Sequence, residues 1–198
     1  MAIELRDSWS IVQKRLVEPD IYPTNATNLA EIPDDWQLND SAYVFVDYSV
    51  GYGGNPSLRL QPGGDIDPFG SKDRSAWTNN PYNIPVKPGD HIVATGWIKT
   101  DATGQSYGAR IGVELKGSGY ILTPPTGVYQ SQFVPWGTPT WTQVTLDVYV
   151  PTTAFTQDQT GASIPPTYVN AIGMWIQALP GDAPGNAWSS NAQLYINP

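Results

Sequence analysis

Apolar and polar residues alternate with period two through the middle of this chain. From His91 to Lys99, Ile92, Ala94, Gly96 and Ile98 fall on one side of an extended backbone. His91, Val93, Thr95, Trp97 and Lys99 fall on the other, and a Pro-Gly-Asp turn at Pro88 to Asp90 opens the stretch. After a Gly/Ser break the pattern returns, with Ala109, Ile111, Val113 and Leu115 on the apolar side and Arg110, Gly112, Glu114 and Lys116 facing away. Both stretches predict strands with one core face. Their other face carries a Trp, a Lys, an Arg and a Glu where bland polar side chains would suffice.

The same rhythm recurs on either side. Ala42 to Val50 alternates, Leu58 and Leu60 point inward from S-L-R-L-Q, and Val144, Leu146, Val148 and Val150 do so from the segment opened by Trp141. Val169 to Ala178 places Ile172, Met174 and Ile176 opposite Ala171, Gly173, Trp175 and Gln177, and Ala192 to Ile196 reads as the last strand. Gln61 to Tyr82, Gly117 to Pro139 and Thr152 to Thr167 read as loops. About eight short strands with turn signals between them predict an all-β antiparallel sandwich, most simply a jelly roll.

Residues 1–34 break the rhythm. Trp9, Val12 and Leu16 have helical spacing behind Asp7 or Ser8 as N-cap, and the same residues also suit an extended edge segment. A proline-rich stretch without periodicity follows. The expected organisation is an N-terminal extended or short-helical arm over 1–34 and a sandwich domain over 35–198. The arm either straps the sandwich or docks on another chain.

Composition narrows the function. At 198 residues the chain fits one domain, and its 19 Gly and 19 Pro are dispersed as turn punctuation. A net charge of -8 argues against a nucleic-acid backbone and an anionic membrane surface, and no apolar run reaches membrane-spanning length. Without cysteine there is neither a disulfide nor a thiolate metal site. The opening M-A-I-E-L-R-D lacks the basic and apolar regions of a secretory signal, while an extracellular or particle-surface setting is expected. Eight Trp and eleven Tyr against four Phe favour rings with a polar edge, which suit half-apolar, half-wet sites.

The order of segments resembles the jelly-roll carbohydrate-binding modules appended to xylanases and β-glucanases, within the galactose-binding-like sandwiches. The resemblance is carried by D-W at Asp35-Trp36, N-P-S-L-R-L at Asn55 to Leu60 and V-K-P-G-D-H-I-V-A-T-G-W-I-K-T at Val86 to Thr100. W-T-Q-V-T-L-D-V-Y-V-P at Trp141 to Pro151 and N-A-W-S-S-N-A-Q-L-Y-I at Asn186 to Ile196 complete it. It implies a polysaccharide or glycan partner and places the outward residues of several strands in one sheet. It also implies a structural calcium beside an acidic pair before the last strand, where this chain has the neutral Ser190 and Asn191.

Sugar binding needs a ring face for the apolar side of a pyranose and planar polar groups for its hydroxyls. Trp97, Trp175, Arg110, Glu114 and Gln177 can supply both, with Tyr129 and Trp136 arriving from the 117–139 loop as walls. Arg110 and Glu114 share a face about 13 Å apart. The bland alternative seals the two Trp rings under those loops as a second minor core. Trp77 and Tyr82 offer an edge site, while Trp36, Trp141 and Trp188 read as structural. Asp65 and Asp67 have the alternate-carboxylate look of a calcium loop but do not complete one. No cofactor is required.

Catalysis is not expected. The outward strand carboxylates are Glu114, Asp147 and Asp47, none with a second acid two or four positions away. The single histidine, His91, has no triad or zinc partner motif, and no nucleophile elbow or phosphate loop occurs. Two readings remain: a non-catalytic carbohydrate-binding module, or a structural subunit of a virion, tail or surface fibre that docks on neighbours through residues 1–34.

Overall fold

The computed structural model describes residues 36–38, 43–62, 74–78, 84–101, 107–122, 129–180 and 185–197. The proposed arm at 1–34 lies outside them. Among the described residues there are fourteen strands and no helix, hence none long and apolar enough to cross a membrane. Every pairing is antiparallel.

Two sheets face each other. The first runs β1 (Trp36–Leu38), β4 (Arg74–Thr78), β13 (Ala171–Ala178), β7 (Gly108–Gly117), β8 (Tyr120–Ile121), with β5 (Ile84–Pro85) also on β13 and β9 (Val134–Pro135) also on β7. The second runs β10 (Thr142–Tyr149), β6 (His91–Thr100), β14 (Ala187–Asn197), β3 (Ser57–Leu60), β2 (Val44–Asp47). A separate hairpin joins β11 (Phe155–Gln157) to β12 (Ser163–Thr167).

Alternation builds the interior as expected. Ile92, Ala94, Ile98, Leu60 and Leu194 from the five-stranded sheet meet Ile111, Val113, Leu115, Ile172 and Met174 from the seven-stranded one, all sealed from solvent. Each of these side chains larger than alanine contributes about 1.5–3 kcal/mol by leaving water. With no disulfide, this two-layer packing carries the stability.

One consequence differs from the sequence expectation. The two most regular strands, β6 and β7, do not share a sheet: the chain crosses between layers after Asp101. Alternation says which side of a strand is buried, but both layers bury the same kind of side, so it cannot assign the layer. The last strand also starts at Ala187 rather than Ala192, because a bulge between Ser190 and Gln193 interrupts the pattern. Asn191 takes the left-handed conformation there, at φ 51°.

Candidate functional site

The outer face of the seven-stranded sheet gathers most of the expected residues. Across β13 and β7 the register pairs Gln177 with Arg110, Trp175 with Gly112 and Gly173 with Glu114, so these side chains share one surface. Arg110 Nε and Nη2 both donate to Gln177 Oε1, at 3.3 and 3.0 Å. The guanidinium also stands 4.3 Å from the centre of the Phe133 ring and 5.6 Å from that of Trp175. It is held between two rings and a planar amide, which fixes its plane. Trp175 itself is half-buried. On its far side it pairs in register with Trp77 of β4.

Glu114 is at the other end of this surface and is engaged by Lys116, whose Nζ lies 3.0 Å from Glu114 Oε2. Two groups that sequence reasoning did not select extend the site in the opposite direction. Phe133 stacks on Arg110, and Tyr107 meets Phe133 edge-on at 5.7 Å. Tyr107 is 59% exposed and adopts φ 71°, uncommon for a residue with a side chain. The following Gly108 explains how this corner is tied down: a Cβ there would stand 2.0 Å from the carbonyl oxygen of Val134, so the β9 backbone can close on β7. Phe133 was visible only as one more ring in a loop without periodicity.

Tyr129 and Trp136 do not wall this surface. Gln130 bridges Gly112, while the amide of Val113 donates to the Tyr129 carbonyl and the amide of Ser131 to that of Ile111. Residues 129–131 thus extend the sheet beside β7 instead of lying over it. Tyr129 packs half-buried against the core, and burial pushes its phenol above the ordinary 10.0. Trp136 is 5% exposed, its Nε1 donating to the Leu179 carbonyl at 3.2 Å.

Trp97 is a further correction. It sits on the outer face of β6, on the opposite side of the sandwich from Trp175. Its ring is stacked on Tyr52, centroids 3.9 Å apart and planes within 12°, with Trp141 edge-on to the same Tyr52 at 6.1 Å. Beside them Lys99 lies over Trp141 and Trp188, and Arg59 over Trp188 and Phe45. Trp188 is 7% exposed and donates Nε1 to Asp47 at 2.9 Å. Burial raises the Asp47 carboxyl, but hydrogen bonds from the Ser49 and Trp188 side chains and the Ser49 and Val50 amides outweigh it and hold the group below its ordinary 3.8. These contacts bind the rings of this layer to one another around the buried Trp188, while Tyr52, Trp97 and Trp141 stay half-buried.

Where the resemblance implies a structural calcium, the donors are neutral. Ser190 Oγ accepts from the Tyr52 amide and donates to the Pro56 carbonyl, and Asn191 Oδ1 accepts from Asn55 Nδ2. These neutral oxygens tie the bulge to the 51–56 turn with no carboxylate among them, which does not suit calcium. Among the described residues no cluster of three His, Cys, Asp or Glu forms. Asp65, Asp67 and Tyr82 lie outside the described residues, and of Trp77 only the backbone is described. His91 is bonded to Asp147 at 2.7 Å and stacked on Tyr149.

No family model and no curated protein match the chain. Solved structures do. The enzymatically active domain of tailspike protein 4 from bacteriophage CBA120 superposes with a TM-score of 0.53 and 12% identity, covering 90% of this chain. The chain spans only 22% of that protein's length. The CBM22-1 xylan-binding domain from Paenibacillus barcinonensis Xyn10C gives a TM-score of 0.50 at 11% identity, covering 91% of this chain and 92% of that one. A candidate sugar-binding protein from Bacteroides thetaiotaomicron gives 0.52 at 10%, covering 91% and 97%. At such identities the likeness is one of fold: this is the antiparallel sandwich of the jelly-roll carbohydrate-binding modules that the sequence resembles.

Proposed function

We propose that this chain is a non-catalytic domain that holds a polysaccharide or glycan against the outer face of its seven-stranded sheet. The observation that carries the reading is Trp175, half-buried and directly beside an Arg110 whose plane is fixed by Gln177 and Phe133. An indole face takes the apolar side of a pyranose, and the guanidinium and carboxamide edges take hydroxyls in the ring plane. Phe133 and Tyr107 continue the strip, and Glu114 with Lys116 closes its other end. The fold shared with a xylan-binding domain and a candidate sugar-binding protein supports the ligand class. An extracellular or particle-surface setting follows from that class.

The outward strand carboxylates are spread over both faces of the sandwich. Glu114 lies on one outer face, whereas Asp47 and Asp147 lie on strands of the other sheet, at its two opposite edges. Four strand spacings separate the latter two, about 19 Å, and two packed layers separate both from Glu114 by about 10 Å or more. Glycosidic carboxylate pairs work at about 5–9.5 Å. Among the described outward acids no such pair forms.

The test is a glycan array probed with the native chain and with Trp175→Ala. Binding to a defined set of glycans, with a change in intrinsic Trp fluorescence, is expected for the native chain and no retention for the variant. An empty array would defeat the reading. It would favour the second one, a structural subunit of a particle, for which the likeness to a phage tailspike domain is the specific support.

A further inference from the structure

We infer that Gly112 is a positioning residue for the binding surface: it is the seat on which the Trp175 indole lies flat. This rests on the proposed role of Trp175. A Cβ at residue 112 would point outward from the sheet, and three atoms of the six-membered ring of Trp175 occupy that spot. Cζ2, Cε2 and Cη2 lie 2.0, 2.2 and 2.7 Å from the Cβ position. Two atoms flanking the nearest one at an average only slightly longer describe a ring laid broadside; an edge-on ring would hold them farther off. No other residue contributes to the three closest atoms.

The consequence is orientational. Trp175 and Gly112 are directly opposed on adjacent strands, and only a residue without a side chain lets the indole cross β7 parallel to the sheet. One ring face then rests on backbone and the other faces away from it. With any larger residue at 112 the indole must lift and turn its edge outward, and the flat platform for a pyranose is lost. Arg110, two residues along the same face and 5.6 Å from the ring centre, keeps its place in either case because Gln177 and Phe133 hold it. Gly112 therefore sets how a sugar ring is presented to the guanidinium.

Gly112→Ala in the full chain tests this, with affinity gels cast in soluble xylan or β-glucan. Retention is expected to fall by about tenfold. The unfolding midpoint is expected to stay near the native one, because the new methyl meets a side chain that can swing into solvent. Labelling the eight Trp with 5-fluorotryptophan supplies a readout that a purely structural role would not move. The 19F signal lost in Trp175→Phe identifies residue 175, and in Gly112→Ala that signal shifts. Gly96→Ala is the control: its Cβ would meet Ile111 and Ala192 at 3.6 and 3.8 Å, ordinary contact, so retention is unchanged.

Native-like retention by Gly112→Ala, or lost retention with the residue-175 signal unmoved, overturns the seat while leaving Trp175 as a binding residue. Undiminished retention by Trp175→Ala overturns the binding surface itself. Should Gly112→Ala fail to fold, folding of Gly112→Ala/Trp175→Ala supports the clash, and failure of both refutes it.

Discussion

On the outer face of the five-stranded sheet, Trp188 lies under Lys99 and Arg59, donates a hydrogen bond from Nε1 to Asp47 and is 7% exposed. On the outer face of the seven-stranded sheet, Trp175 also lies against a cation but is only half-buried, as Trp97 is on the first face. The inventories are similar: rings, a guanidinium, a carboxylate. What differs is who takes the outward ring face and the polar edges. On the five-stranded side Tyr52 stacks on Trp97, Asp47 accepts a hydrogen bond from the Trp188 indole N–H, and Asn186 accepts from Arg59 and Gln61. These groups on the five-stranded face are engaged around one buried indole, Trp188. On the seven-stranded side Gln177, Phe133 and Trp175 are among the groups that engage Arg110, and together they fix the plane of its guanidinium. A cation over an aromatic ring thus marks a minor core on one face and a candidate platform on the other.

The largest expected effect falls on the five-stranded face. Trp188→Ala removes a buried indole that fills the space between β2, β3 and β6, and should cost about 3–5 kcal/mol in chemical denaturation. Polysaccharide retention by the protein that remains folded should not change. Loss of retention at full folding would show that the two faces are coupled.

Acid acts on the same face. Asp47 stays ionised in the folded protein to lower pH than in the unfolded chain, so its stabilisation is complete above the ordinary value of 3.8 and fades as pH falls through the depressed native value. Asp47→Asn should lower stability at neutral pH and flatten that acid limb, read as denaturation midpoints between neutral pH and pH 3. An unchanged acid limb would mean that other carboxyls set it.

Trp97→Ala should have a smaller effect. It deletes one partner of a parallel stack on a half-buried ring, at about 1 kcal/mol. Denaturation curves alone would miss its significance; unchanged glycan retention is the informative half.

These contrasts also explain what could be read from the chain. Period-two alternation named the inward residues of β6, β7, β10 and β13 and hence a sandwich. The strands it left out lack that signature. R-S-A-W-T in β4 offers one large apolar side chain, and β12 includes Pro165 and Pro166, which only a two-stranded ribbon with free edges accepts. The β11–β12 turn is instead held by Asp158 Oδ1, which accepts from Thr160 and Ala162, a short-range pattern with no hydrophobic trace. That Arg110, Glu114, Trp175 and Gln177 face outward was legible from alternation, and the register of β7 and β13 brings them onto one surface. Trp97 was misplaced because alternation is blind to layers. Phe133 was passed over because it occupies an irregular segment that pairs with β7 only through Gln130 and β9.

The most direct test sets the two indoles side by side. Trp175→Ala and Trp97→Ala, each verified as folded, are run through affinity gels containing the polysaccharides that retard the native chain. The account predicts that Trp175→Ala migrates unretarded while Trp97→Ala is retarded as the native chain is. Retardation of Trp175→Ala together with free migration of Trp97→Ala would contradict it and move the binding surface to the five-stranded face.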